Sequence, residues 1–352
     1  MDHRPDMPWQ MTVEAPGRIG REVLEPQLLA PGEVRISTLY SGISAGTEMT
    51  AFTGSSPFLN RRWDPARRVF EPGESSWSYP MPAMGYEEVG RVEEVGSEVT
   101  RLRPGDVIWG PWRHKTEHVA PEDWAAPRVL PPGTDVRLGI FSHIGSIALN
   151  AILDADLHLG ETVAVFGQGV PGLMVTELAA LSGATVIAVD RLPSRLDRAR
   201  AHGATHVVNS AEEDAALRIK EITGGRGADV SIEITGKSAA LHEAIRATAY
   251  ASRVVVCGFL QGDALGLRLG EEFHHNRIEL RCSQISGVSP ALAHRWSRER
   301  LGQVVMGLVT QRRVDWGRLI SHTLPASQAQ EAFEMLRDRP EECLQVVLDF
   351  QA

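Results

Sequence analysis

The segment Thr162–Gly172, TVAVFGQGVPG, decides the fold. A β-forming, largely apolar run leads straight into Gly167, Gly169 and Gly172 at G-x-G-x-x-G spacing. In that spacing the first glycine makes a tight turn, the second lets the backbone approach a pyrophosphate, and the third lets a helix pack close to the strand. Glycines at this spacing also serve ordinary turns, so the motif needs its context. Here a strand precedes it, a helix opens at about Pro171, and Asp190 closes the next strand, ATVIAVD, roughly 20 residues beyond Gly167. A carboxylate at that place accepts hydrogen bonds from the adenosine ribose and repels the 2′-phosphate of NADP. NAD is the expected cofactor. NADP is the lesser candidate, because Arg191, Arg195 and Arg198 follow and one of them could turn toward a phosphate. Further candidate cofactor contacts are Gln168, Val170 and Pro171 in the turn, with Thr235, Gly258 and Phe259 after later strands.

Outward from the motif, THVVN, ADVSIEI and RVVVCG read as further strands. Helical stretches separate them at Pro171 to Ser182, Ser194 to His202 and Ala239 to Ala249. Strands alternating with amphipathic helices imply consecutive βαβ units and a doubly wound parallel sheet, an α/β class. Upstream, from about Val13 to Val129, short β-rich runs are broken by Gly and Pro, as in EVRISTLYSGIS and VGRVEEVGSEVTRLRPGDVIWG, which reads as a β-barrel-like domain. Downstream of about Ser286 come a polar helix-rich stretch, the strand-like LISHTLP, a helix near Ala329 to Arg337 and a last strand, LQVVLDF. The expected division is residues 1–135 with 291–352 as one domain and 136–290 as the nucleotide domain.

Composition fits this. The chain of 352 residues is 43% apolar and 23% charged, long enough for two cores. A formal charge of −9 without a Lys/Arg block gives no footprint for nucleic acid, so small molecules are the expected partners. No uninterrupted apolar run approaches the roughly 18 residues of a membrane span, and MDHRPDMPWQ has no leader-like apolar core, so a cytoplasmic location is expected. Cys257, Cys282 and Cys343 are too far apart for a zinc ribbon or a disulfide framework.

The order SGISAGTE, GYEEVGRVEEVGSEVTRLRPGD, GQGVPG, GADVSIEITG and RVVVCG resembles the medium-chain dehydrogenase/reductase superfamily over nearly the whole chain. Within it, SGISAGTE is similar to the segment of bacteriochlorophyllide-, threonine- and sorbitol-dehydrogenase-like proteins. The resemblance implies a GroES-like catalytic domain, a Rossmann domain, a cleft between them, and commonly a homodimer through the nucleotide-domain edge strand, here IELRCSQ. It also implies a zinc ligand set that this chain departs from. Ser44, Tyr86 and Ser142 or His143 stand where zinc-dependent members have thiolate, imidazole and a third ligand, leaving Glu87 and His143 as capable groups. No zinc is expected. His114 and His118 in HKTEH lie on an extended stretch about 13 Å apart and are expected to be solvated or hydrogen-bonded.

Three functions follow as expectations. The first is an alcohol dehydrogenase-like oxidoreductase moving hydride between NAD and a secondary alcohol or ketone without zinc. The second is an NADPH-dependent quinone or C=C reductase, and the third a non-catalytic nucleotide-binding protein. The density of polar groups at Ser44, Thr47, Tyr86 and His143 favours an enzyme, with Tyr86 or His143 moving the proton and Ser44 and Thr47 assisting. Candidate substrate contacts are Glu48, Trp112 and, in the long segment from Ser55 to Tyr79, Arg61, Arg62 and Trp63, which could grip a bulky or acidic substrate.

Overall fold

The computed structural model describes residues 7–82 and 85–352; residues 1–6, on which part of the leader argument rests, lie outside it. The chain forms two compact units, residues 1–143 with 306–352, and residues 144–305. Both boundaries lie beyond those expected from sequence. The first falls inside a helix, Phe141–Ala155, that runs unbroken through the boundary, and the second inside the helix Arg298–Thr310, so no loop or composition change marks either.

In the first unit the long strand Glu33–Ile43 organises the barrel. Its alternation buries Val34, Ile36 and Thr38 and turns Arg35 outward, where Glu94 and Glu117 each pair with it at 3.1 Å. Glu88–Val95 and Glu117–Pro121 pair with it antiparallel, and Val107–Gly110 extends the sheet. The chain's last strand, Gln345–Asp349, returns to pair with the same strand, Val346 opposite Ile43 and Asp349 opposite Tyr40. This return completes the first unit from two distant pieces of sequence. Two apolar cores result, one around Val34, Ile36, Val92, Ile108 and Trp112, the other around Met11, Phe52, Phe333 and Val346.

The second unit is a six-stranded parallel sheet. In spatial order its strands are His206–Asn209, Thr185–Asp190, Thr162–Phe166, Ala228–Glu233, Thr248–Val256 and Glu279–Cys282. Val163, Ala164 and Val165 are fully buried, as expected of a strand covered on both faces. The helix expected to run to Ala249 stops at Ala247, because Thr248 begins the next strand and turns its hydroxyl to Ser231 at 2.7 Å.

The segment Val136–Ala155 is long and apolar enough by composition to pass for a membrane span, which the sequence did not suggest, since Arg137, His143 and Asn150 interrupt it. Most of it is buried inside the protein. It has the character of a core helix.

Candidate functional site

In the second unit the glycine turn leaves the strand at Phe166 and enters the helix Val170–Leu181. Gly167 takes φ +102°. A Cβ on Gly172 would stand 1.9 Å from the Gly167 carbonyl oxygen, so only glycine lets helix and strand approach this closely. A Cβ on Gly169 would meet nothing within 4 Å. That open space lies at the start of the helix, where unpaired amides favour an anion, so the loop fits a dinucleotide pyrophosphate.

Asp190 fixes this loop. Its Oδ2 accepts the Gln168 amide at 2.7 Å, and its Oδ1 accepts the amides of Arg191 and Leu192 at 2.7 and 3.0 Å. Gln168 turns its side chain inward, donating to the Val165 carbonyl at 3.0 Å and accepting from Thr176 at 2.9 Å. Its side chain is therefore a lock on the turn, a correction to its place among the cofactor contacts. Pro171 lies in the first turn of the helix, and Val170 is buried. Arg191 is exposed and Arg195 half-buried on the helix after Asp190.

Sequence alone did not single out Glu233. It is fully buried at the end of its strand, accepts the amides of Thr235 and Gly236 at 2.6 and 3.0 Å and the Thr235 hydroxyl, and burial raises its pKa. It shapes the turn carrying Thr235. A Cβ on Gly258 would come 2.2 Å from the Gly236 amide nitrogen, so Gly258 is needed for two turns to touch, and Phe259 beside it is 42% exposed.

The first unit gathers the candidate catalytic residues. The Tyr86 hydroxyl donates to Ser44 Oγ, and the Tyr86 ring lies 4.8 Å from the His143 ring at an interplanar angle of 56°. Burial raises the phenol above its ordinary value near 10, the charges of Glu87 and Glu48 raise it further, and the hydroxyls of Ser44 and Thr47 pull it partly back. Tyr86 therefore holds its proton. Four residues proposed from sequence, Ser44, Thr47, Tyr86 and His143, thus form one cluster.

Beneath the cluster is a buried polar network. Glu48 accepts the Ser44 amide at 2.9 Å and meets His114 Nε2 at 2.5 Å. His114 Nδ1 meets Ser41 Oγ at 2.5 Å, Ser41 donates to Glu88 at 2.9 Å, and Glu88 accepts the Trp112 amide at 2.8 Å. Glu48, a candidate substrate contact, is 2% exposed with both oxygens engaged, so it positions Ser44 instead. Glu87 is also buried. Burial pushes its pKa well above the carboxylate range, Glu48 adds to this, and the Gln345 amide beside it pulls partly back.

Trp112 must also be withdrawn from the substrate set. It is 5% exposed, its indole N–H donates to Thr38 at 3.0 Å, and its ring stacks on His118 at 5.1 Å. His118, wedged between Trp112 and Trp124, is held down to a pKa of about 4 by burial, and His114 is fully buried. His114 is hydrogen-bonded, one of the two expected states, and His118 is half-buried. In the long segment, Arg62–Asp64 and Val69–Glu71 form a hairpin in which Trp63 packs on Phe70 at 4.9 Å, and outside it Phe58 stacks on Trp77 at 4.7 Å. Arg62 pairs with Glu71 at 2.5 Å, and Trp63 remains 36% exposed. Arg61 is exposed beside them.

Residues 171–296 match the family described as zinc-binding dehydrogenase. The chain is 28% identical to D-guloside 3-dehydrogenase of Shigella flexneri over 334 residues, 93% of this chain and 95% of that one. It is 28% identical to (R,R)-butanediol dehydrogenase of Bacillus subtilis over 294 residues, 76% of this chain and 80% of that one. In fold it matches an oxidoreductase/dehydrogenase of unknown specificity from Escherichia coli, with a TM-score of 0.78 at 21% identity over 97% of this chain and 99% of the other. With a glycine turn built for a dinucleotide and a barrel unit closed by its own C-terminal strand, the chain is similar over most of its length to the zinc-type alcohol dehydrogenase-like proteins of the medium-chain dehydrogenase/reductase superfamily and is an alcohol dehydrogenase-like oxidoreductase.

Proposed function

We propose that the protein moves hydride between NAD and a secondary alcohol or ketone without catalytic zinc. One observation carries this: where zinc-dependent members are expected to hold metal ligands, Tyr86 and Ser44 hydrogen-bond each other beside His143. Hydroxyl groups are poor zinc ligands, and catalytic zinc needs three good protein donors. Only Glu87 and His143 remain as capable donors, one short of that number, so the set does not fit the metal. Activity is expected to survive chelator. Loss of turnover in chelator with recovery on adding zinc would refute the zinc-free reading.

When bound, the nicotinamide accepts or returns the hydride. The chain's own part is the proton. In reduction the carbonyl oxygen gains alkoxide character, Tyr86 gives it a proton, and Ser44 and Thr47 supply hydrogen bonds; oxidation runs the same steps backward. His143, against the Tyr86 ring, relays the proton outward. The likeness to a guloside dehydrogenase favours a polyhydroxylated substrate.

Asp190 favours NAD, because three backbone amides hold its carboxylate at the strand end. NAD is expected to bind at least tenfold more tightly than NADP, about 1.4 kcal/mol. Asp190→Asn keeps an acceptor for the loop but removes the charge, and should narrow that gap in paired titrations. A native preference for NADP would assign the phosphate to Arg191 or Arg195 and raise the reductase alternative. We also place a homodimer contact on Glu279–Cys282, the end strand of the parallel sheet.

A further inference from the structure

Away from the glycine turn, the second unit brings together an imidazole and two carboxylates. His242 lies on the helix Ser238–Ala247, and Glu271 and Glu272 lie on the short turn Leu269–Phe273 packed against it. One donor atom from each lies within 4.8 Å of the others. Two donors each about 2.1 Å from one ion stand at most about 4.2 Å apart, so small side-chain rotations would bring all three onto a common ion.

His242 is 6% exposed, and neither ring nitrogen has a hydrogen-bond partner among the described residues. A neutral imidazole carries one N–H and one lone pair, and burying both unmet forfeits the hydrogen bonds they made to water. Glu272 Oε2 is buried and unmet as well. Nearby cations pair with one oxygen of each carboxylate. Arg268 pairs with Glu271 Oε2 at 2.7 Å, and Arg246 stands 3.6 Å from Glu272 Oε1 while bonding Asp214 at 2.9 Å and Glu243 at 2.7 Å. Lys220 donates to the carbonyls of Arg226 and Thr248 at 3.2 and 2.9 Å.

We infer that His242, Glu271 and Glu272 form a binding site for a divalent transition-metal cation. One imidazole with two carboxylates suits zinc, manganese or cobalt, and the nitrogen donor disfavours magnesium and calcium. Glu271 interrupts the helical path of its turn at φ −96° and ψ −123°, so an ion held there ties that bend to the helix. It would be a structural clamp in the nucleotide unit, independent of the barrel chemistry.

The test uses the full chain, stripped with chelator and titrated with Zn²⁺ and Mn²⁺ by calorimetry and with Co²⁺ by visible absorption. One equivalent should bind and raise the melting temperature. His242→Gln and Glu272→Gln should each weaken binding at least tenfold, and Tyr86→Phe should leave it unchanged. Absence of saturable binding, or equal affinity in both variants, overturns the site. Should His242→Gln fail to fold, the isosteric Glu272→Gln and the cobalt spectrum of the native chain decide, and a spectrum of free aqueous cobalt overturns it. Chelator sensitivity of turnover that persists in His242→Gln belongs to the barrel unit and bears on the zinc-free reading alone.

Discussion

Tyr86→Phe is expected to lower kcat by about 10²–10⁴, the range for loss of a general acid or base. The substitution keeps the ring against His143 and removes only the hydroxyl that donates to Ser44. Burial with Glu87 and Glu48 nearby holds the phenol protonated through the neutral range, which suits it to donate in the reducing direction. The charge of oxidised nicotinamide would pull that pKa down; the barrel unit itself pushes it up. Titration of Tyr86 should therefore leave the reductive kcat level below a pH of about 10. The control is His143→Ala, which should cost less than Tyr86→Phe if His143 only relays. If Tyr86→Phe retains more than about a tenth of native kcat while His143→Ala does not, His143 is the acid.

Gly172→Ala is expected to abolish measurable cofactor binding and to lower the melting temperature by several degrees. Its new methyl would stand 1.9 Å from the Gly167 carbonyl oxygen, a backbone atom that cannot yield without moving the strand end or the helix. Overpacking of this kind costs about 1–3 kcal/mol or more. Gly169→Ala separates stability from binding. Its φ of −73° is ordinary and its methyl meets nothing within 4 Å, so folding should be native. It would still occupy the space assigned to pyrophosphate, and cofactor affinity should fall at least tenfold. Thermal melts and cofactor titrations of the two variants check this, and native affinity in Gly169→Ala would move the phosphate elsewhere.

The nucleotide unit was legible because its determinants are local. Glycines at fixed offsets, a strand apolar on both faces and an acid at the next strand end all lie between Thr162 and Asp190, and the structure places them in one turn. The barrel strands were legible from alternation, as in Glu33–Ile43. The unit boundaries were not, because helices run through both.

Side-chain fate was the harder part. Trp112 and Trp63 have the same chemistry in sequence, yet one fills the barrel core and the other caps a hairpin. Glu48 and His114 are separated by 66 residues, and nothing near either announces their pairing. Two adjacent acids, Glu87 and Glu88, inside a β-forming run were the available hint of a buried network. By itself the sequence determined the two-unit architecture, the parallel sheet and the dinucleotide turn, because backbone periodicity and glycine sterics act over a few residues. Only the tertiary structure decided which polar groups meet: Ser44 against Tyr86 and His143, Glu48 against His114, His242 against Glu271 and Glu272. Those encounters join distant segments, and burial then sets which partners a charged or hydroxyl group must find.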